Sequence, residues 1–302
     1  MSDTVSVCAP AKVNLALSVG ALDPETSRHP ICSWMVTVDF CDYLKLTRLE
    51  AGRLSRYAVL WHDDAPVKSD IDWSIQHDLA VRAHLALERR VGRALPVQLA
   101  LRKRIPVGGG LGGGSSDAAA MLKACCELFN LHDEVGPDTL LDLAAELGSD
   151  VPFLLDGGSA IVEGTGEAVQ HFDHLPEMSL VLVFSDATCH TRSIYARFDE
   201  VPSRGLRADA VRSVAGGDGE PFNDLAVAAK AEATTLGALA EVIERACRCS
   251  VHVTGSGASL FIICGSRIEA EATVTTITEQ FDVQAMAVEP ARYTLPSETT
   301  PS

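Results

Sequence analysis

Pro106-Val-Gly-Gly-Gly-Leu-Gly-Gly-Gly-Ser-Ser-Asp117 is the stretch on which the fold turns. Six of the seven residues from Gly108 to Gly114 are glycine, so the backbone is free to take positive φ and to come close to a ligand. Upstream, Pro96–Leu101 reads as a strand. Downstream, Ala118, Met121, Leu122, Cys125, Leu128 and Phe129 form one apolar stripe, which predicts a helix over Ser115–Leu128. The helix starts beside the glycines, so its unpaired N–H groups and positive dipole end face them. Together they make an anion site suited to nucleotide phosphates. No Gly-Lys-[Ser/Thr] follows, which excludes a Walker A loop, and no βαβ start precedes, which excludes a dinucleotide fingerprint. A flexible linker or tight turn is the competing reading, and it fits poorly with a run joined directly to an amphipathic helix.

Outward from the loop, Met35–Thr47 reads as strand and Asp78–Val91 as a helix with arginines at its end, where the dipole favours them. Asp138–Leu147 is a second helix, stopped by Gly148. Ser179–Ser185 is a short apolar run suited to a buried central strand. From Glu200 to Glu220 the composition predicts loops around at most a short helix. Helices are expected at Asp224–Ala233, Leu236–Cys247 and Ile268–Phe281, with strands at Ser250–Thr254, Ser259–Cys264 and Val283–Val288. That order suggests an α+β sandwich with its sheet covered on one side. Two domains are expected, 1–175 and 176–290, with a disordered tail over 291–302.

The chain has 302 residues, 47% hydrophobic and 22% charged, enough to bury a proper core and too apolar to be disordered. Lys+Arg 25 against Asp+Glu 41 gives a net charge of −16, which repels phosphate backbones and anionic lipid surfaces. Nucleic-acid and membrane partners are therefore not expected, and any anionic substrate must meet local positive groups. No apolar run approaches the ~18 residues that span a bilayer. The N-terminal stretch lacks the basic and apolar regions of a signal peptide, so the expected location is the cytoplasm. Nine cysteines, with no C-x-x-C knuckle, read as free thiols rather than as a disulfide framework or a metal site.

Three other segments stand out. In Ala9-Pro-Ala-Lys-Val-Asn-Leu15, strand periodicity puts Lys12 and Asn14 on one side, and a half-buried lysine needs a charge partner. A surface lysine on an edge strand is the alternative. In Gly148-Ser-Asp-Val-Pro152, Asp150 sits in a short rigid turn, which suits a fixed carboxylate or a plain turn aspartate. Thr254-Gly-Ser-Gly-Ala-Ser259 is a small-residue turn between strands, which by itself reads equally as a simple bend.

Taken in order, Pro-Ala-Lys-Val-Asn-Leu, the glycine run and Thr-Gly-Ser-Gly-Ala-Ser resemble the three motifs of the GHMP small-molecule kinase superfamily. Gly-Ser-Asp-Val-Pro, Glu163-Gly-Thr-Gly-Glu167 and Phe222-Asn-Asp-Leu225 resemble segments of its 4-diphosphocytidyl-2-C-methyl-D-erythritol kinase family. The resemblance runs from about Ala9 to Val288.

It implies an N-terminal domain like ribosomal protein S5 domain 2, a ferredoxin-like α+β C-terminal domain, and an active site between them. Pro106, Val107, Gly108, Gly109, Gly110, Leu111, Gly112, Gly113, Gly114, Ser115 and Ser116 would hold ATP, accompanied by Mg²⁺ held mostly by phosphates. Asp150 would take the proton from the acceptor hydroxyl, with Lys12 as its charged neighbour, and Asn14 would help fix the substrate. Where the family has Asp-Gly-Tyr-His against the cytosine, this chain reads Ser27-Arg-His29. His29 matches, and Arg28 stands in place of the tyrosine, either stacking its guanidinium on cytosine or marking a different substrate. The implied reaction is ATP-dependent phosphorylation of the 2-hydroxyl of the cytidyl erythritol. The alternatives are another alcohol (a sugar, homoserine or a mevalonate derivative) and a catalytically silent nucleotide-binding relative.

Overall fold

The computed structural model describes residues 3–200 and 205–292. Its first sheet is built on two long antiparallel strands, β1 (Thr4–Val19) and β2 (Ile31–Arg48). Then come β3 (Arg56–Trp61), helix α1 (Leu79–Val91), β4 (Val97–Lys103), α2 (Gly113–Phe129), α3 (Pro137–Leu147) and α4 (Val151–Asp156). The hairpin β5 (Ser159–Gly164) and β6 (Ala168–His171) follows. The strand order is β3-β4-β2-β1-β8, with β5 also paired to β2 and β6 to β5.

The second half runs β7 (Ser179–Phe184), α5 (Thr191–Asp199), α6 (Ala208–Ala215), β8 (Phe222–Asn223), α7 (Ala226–Glu232), α8 (Thr234–Cys247), β9 (His252–Val253), β10 (Ser259–Cys264), α9 (Arg267–Gln280) and β11 (Gln284–Val288). Its four-stranded antiparallel sheet has the order β11-β7-β10-β9. Counted along the chain that is 4-1-3-2 with helical crossovers, the ferredoxin-like arrangement. The fold is thus the two-part α+β architecture that the resemblance implies.

The halves are stitched together. β8 leaves the second half to pair in parallel with β1 at Ala16 and Leu17. Asp224 accepts hydrogen bonds from the Ser18 hydroxyl at 2.9 Å and the Val19 amide at 3.0 Å, and ion-pairs with Arg207. Of the tail expected to be disordered, residues from 293 on lie outside the described residues. The two before them are held: the Ala291 amide donates to the Thr37 carbonyl at 2.8 Å, and Arg292 donates to the Phe172 carbonyl at 2.8 Å.

Most elements lie where periodicity puts them. Ser259–Cys264 matches its strand, and α1, α2, α3, α8 and α9 start and stop within two residues of expectation. Two helices were not legible. α4 is only six residues long and begins Val-Pro, and α5 lies in a polar stretch with one fully buried apolar residue, Ile194. Both help to wall the site.

β1 carries the decisive local feature. Ala9, Leu17 and Val19 pack into one core, but Ala11, Val13 and Leu15 pack into the other, between the two sheets. All six have odd numbers, so strict alternation would put them on one face. The pairing with β2 slips between Pro10 and Lys12 and again between Asn14 and Ala16. Each irregularity reverses the faces. Within the flipped segment the even residues Lys12 and Asn14 turn toward the glycine loop.

Candidate active site

The loop from Arg104 to Gly112 joins β4 to α2 and lines a cavity of about 490 Å³ from Pro106 to Gly112, continuing through Gly113, Gly114 and Ser115. Gly108, Gly110 and Gly112 have φ of 72°, 73° and 70°, which only glycine takes without strain. Gly110 has a second reason: a Cβ there would strike the Thr254 carbonyl and approach the Gly257 carbonyl at 3.0 Å. The Gly255–Gly257 turn thus seats on the glycine loop, and Ser259 N–H donates to the Gly109 carbonyl at 3.1 Å. Ser116 departs from the expected ATP-binding set. Its amide donates to the Gly112 carbonyl at 2.8 Å, and its hydroxyl is buried away from the cavity without a partner. The free amides that face the cavity end at Ser115.

Lys12 is 3% exposed, and its stem runs under Gly112, where a Cβ would meet Lys12 Cγ at 2.8 Å. Its Nζ donates to Asn14 Oδ1 at 2.6 Å and lies 3.4 Å from Asp150 Oδ2. Asn14 is fixed in turn: its Nδ2 donates to Ser33 Oγ at 2.9 Å and its amide to Thr254 Oγ1 at 3.1 Å. Asp150 sits between α3 and α4 with φ −89° and ψ −14°, and its carboxylate caps no helix amide. A cation and a carboxylate therefore meet beside the mouth of an amide-lined anion cradle. Such an arrangement can take a proton from a hydroxyl and offset the charge that develops as a phosphoryl group passes to it.

Beneath the loop lies a buried cluster that the sequence reading missed. Lys103 Nζ is 2.5 Å from Asp42 Oδ2 and 2.5 Å from Asp117 Oδ2, and all three side chains are at most 4% exposed. Asp42 Oδ1 also accepts the Arg104 and Ile105 amides. Lys103 and Asp117 flank the loop in sequence, so the cluster pins both of its ends. Burial opposes the Lys103 ammonium, but the two carboxylates outweigh it and hold its pKa above the ordinary lysine value. Burial raises the Asp117 pKa well above the carboxylate range, against the pull of Lys103 and with help from the Asp42 charge. The only signal in the sequence was two charges bracketing an apolar-glycine run.

The cavity walls also include Trp73, His77, Asp78 and Leu79, from the stretch before α1, and Tyr195 and Thr191 of α5. Burial, with the Asp150 charge as a second cause, pushes the Tyr195 hydroxyl up to about 12. Tyr195 and Asp150 line the same cavity. None of these residues carried a motif; an aromatic in a polar segment was their only mark. Among the described residues, no group of three or more His, Cys, Asp or Glu is placed to hold a metal ion. No described helix is long and apolar enough to cross a membrane.

Such a cradle, placed between these two halves, defines a GHMP-type kinase, and residues 78–158 match the family model of the GHMP kinases N terminal domain. A 4-diphosphocytidyl-2-C-methyl-D-erythritol kinase of Deinococcus radiodurans is 36% identical over 276 residues, covering 90% of this chain and 88% of that protein. The chain belongs to the 4-diphosphocytidyl-2-C-methyl-D-erythritol kinase family. The crystal structure of a 4-(cytidine 5'-diphospho)-2C-methyl-D-erythritol kinase superposes with a TM-score of 0.71 at 27% identity, covering 95% of this chain and all (100%) of that one. Homoserine kinase from Cytophaga hutchinsonii shares the fold, with a TM-score of 0.68 at 17% identity over 97% of this chain and 96% of its own.

Arg28 and His29 are not brought into the cavity wall. Arg28 is exposed and closes a turn against Asp23, whose amide donates to its carbonyl at 2.9 Å. Its guanidinium is not among the groups that line the cavity, where the aromatic rings are those of Trp73, His77 and Tyr195. His29 lies just behind Tyr195, the two rings 5.0 Å apart. His29 Nδ1 is 2.9 Å from the Gly20 carbonyl and Nε2 is 3.5 Å from Asp199 Oδ2.

Proposed function

We propose that this chain transfers the γ-phosphoryl group of ATP to the 2-hydroxyl of 4-diphosphocytidyl-2-C-methyl-D-erythritol. The observation that carries the reading is the Lys12–Asp150 pair, 3.4 Å apart at the glycine-lined cavity. In this reading the triphosphate lies along Gly108–Ser115, its charge met by loop amides and by the dipole of α2. Mg²⁺ comes with the nucleotide, bound chiefly by phosphate oxygens, which are the hard donors it prefers.

Asp150 accepts the proton of the substrate hydroxyl, and that oxygen forms the new bond to the γ-phosphorus. The bond from the γ-phosphorus to the bridging oxygen breaks, and ADP leaves with that electron pair. Lys12 keeps the carboxylate in place and offsets charge building on the transferring group. Asn14 holds Lys12 and contributes polar contact to the acceptor. Tyr195 supplies a face for a planar base, and His29 steadies Tyr195 from behind. We place the enzyme in the cytoplasm, where nine free thiols stay reduced.

Arg28 favours a second reading, in which the acceptor is another small alcohol. An assay of ADP release across an alcohol panel separates the two. Turnover with the cytidyl erythritol at least a hundredfold above that with homoserine, mevalonate or sugars supports the first reading. Preference for any of the others replaces it.

A further inference from the structure

The hairpin tip Glu163–Glu167, between β5 and β6, takes no part in the cavity wall, yet it presses on the turn that carries Asp150. A Cβ at Gly166 would lie 2.7 Å from both Cα and C of Ser149 and closer still to the Ser149 carbonyl oxygen. All three are backbone atoms, which cannot swing aside as a side-chain end can. Gly166 also has φ 112°, a conformation side chains rarely adopt. The Asp150 carboxylate makes no helix cap, and the Lys12 ammonium is its one ion-pair partner in the described structure. Its position is therefore set by backbone, through Ser149.

The tip itself is braced. Glu167 Oε2 accepts the Thr165 amide at 2.7 Å and the Thr165 hydroxyl at 2.8 Å, and the Gly166 amide donates to the Glu163 carbonyl at 3.2 Å. Arg212 holds Glu163 at 2.7 Å from the far side. Burial of Glu167 is outweighed by these hydrogen bonds and by the nearby Arg28 charge, which keep its carboxyl below the ordinary value.

We infer that the Glu163–Glu167 tip is a positioning element for Asp150, with Gly166 as the residue that lets it seat against Ser149. The inference rests on the reading of Asp150 as the base. A displacement of the turn by about an ångström moves the carboxylate off the hydroxyl and is enough to cost roughly a hundredfold in turnover. ATP, bound by the separate glycine loop, is not disturbed.

The test uses the full-length enzyme and four single variants, with kcat, acceptor KM, ATP affinity by calorimetry and thermal melting for each. Gly166→Ala is expected to lower kcat ten- to hundredfold with ATP affinity unchanged. Gly52→Ala is the control, because Gly52 lies outside the tip and the cavity, has a similarly positive φ of 84°, and its Cβ would meet no other atom within 4 Å. It is expected to keep kcat within about threefold. Glu167→Ala, at the exposed tip, unties Thr165 without adding a clash and is expected to lower kcat several-fold in a fully folded enzyme.

Asp150→Asn then serves as background. If the tip acts through Asp150, adding Gly166→Ala or Glu167→Ala to it costs nothing further. Additive losses, or unchanged kcat in both Gly166→Ala and Glu167→Ala, overturn the inference. If Gly166→Ala does not fold, the Glu167→Ala pair of measurements decides. Should Asp150→Asn itself retain wild-type turnover, it is the base assignment that fails, which separates the two.

Discussion

Lys12 and Asp150 meet at 3.4 Å, one from the middle of the longest buried strand pair and the other from a short turn between two helices. Lys12 is sealed in, whereas the Asp150 side chain keeps 24% of its surface exposed. The cation is thus fixed, and the carboxylate remains open to a substrate hydroxyl. The predictions below follow from that asymmetry and from the walls around it.

Asp150→Asn should lower kcat by roughly 10²–10⁴, the range for loss of a general base, with ATP affinity little changed. The amide keeps the shape and removes the proton acceptor. Steady-state turnover alongside calorimetric ATP binding measures both. Near-wild-type kcat in a folded variant removes Asp150 from the role.

Gly112→Val should weaken ATP binding. Its φ of 70° disfavours a side chain, and a Cβ there would run into Lys12 Cγ at 2.8 Å. The substitution narrows the cradle and pushes on Lys12 together. Calorimetry should show at least a tenfold rise in Kd; an unchanged Kd would reduce the loop to a structural turn.

Asp42 and Asp117 flank the same ammonium but should respond differently to removal of charge. Asp42 is tied to Lys103 and to two backbone amides, so Asp42→Asn breaks a buried pair and should cost about 3–5 kcal/mol in denaturant unfolding. Asp117 is tied to Lys103 alone and burial works against its charge, so Asp117→Asn should cost less than Asp42→Asn. Equal losses would refute this division.

The same cluster sets a pH dependence. With its pKa raised on folding, Asp117 binds more protons in the native than in the unfolded state, so its contribution is present at low pH and lost as pH rises. Above the ordinary carboxylate range, wild-type stability should therefore fall relative to Asp117→Asn as pH increases. Parallel melting curves of the two proteins against pH would contradict the assignment.

Tyr195→Ala should raise the acceptor KM by an amount equal to roughly 1–3 kcal/mol of lost stacking, with the ATP KM unmoved. Arg28→Ala, on the exposed turn, should have the smaller effect on acceptor KM. CMP should compete with the acceptor and not with ATP. Competition against ATP alone would point to a nucleotide pocket with no cytosine subsite.

The amino-acid sequence by itself determined the glycine loop and the helix that it opens, because a glycine run joined directly to an apolar stripe of helical period fits a linker poorly. It also determined most helices and strands, whose burial is periodic, and the candidate pair Lys12 and Asp150 through their motifs. It could not show that β1 reverses its faces around Lys12 and Asn14, since the two slips against β2 depend on the pairing partner and leave no mark in alternation. Nor could it place Tyr195 in the wall and Arg28 outside it. α5 is only weakly apolar, and its position comes from packing on α7 and from the Thr191–Ser256 contact at 3.0 Å. The Asp42–Lys103–Asp117 cluster and the Gly166–Ser149 contact join residues from separate elements, and only close packing brings those backbones together. Local propensity is written in neighbouring residues, whereas these contacts are decided by which surfaces exclude water against one another.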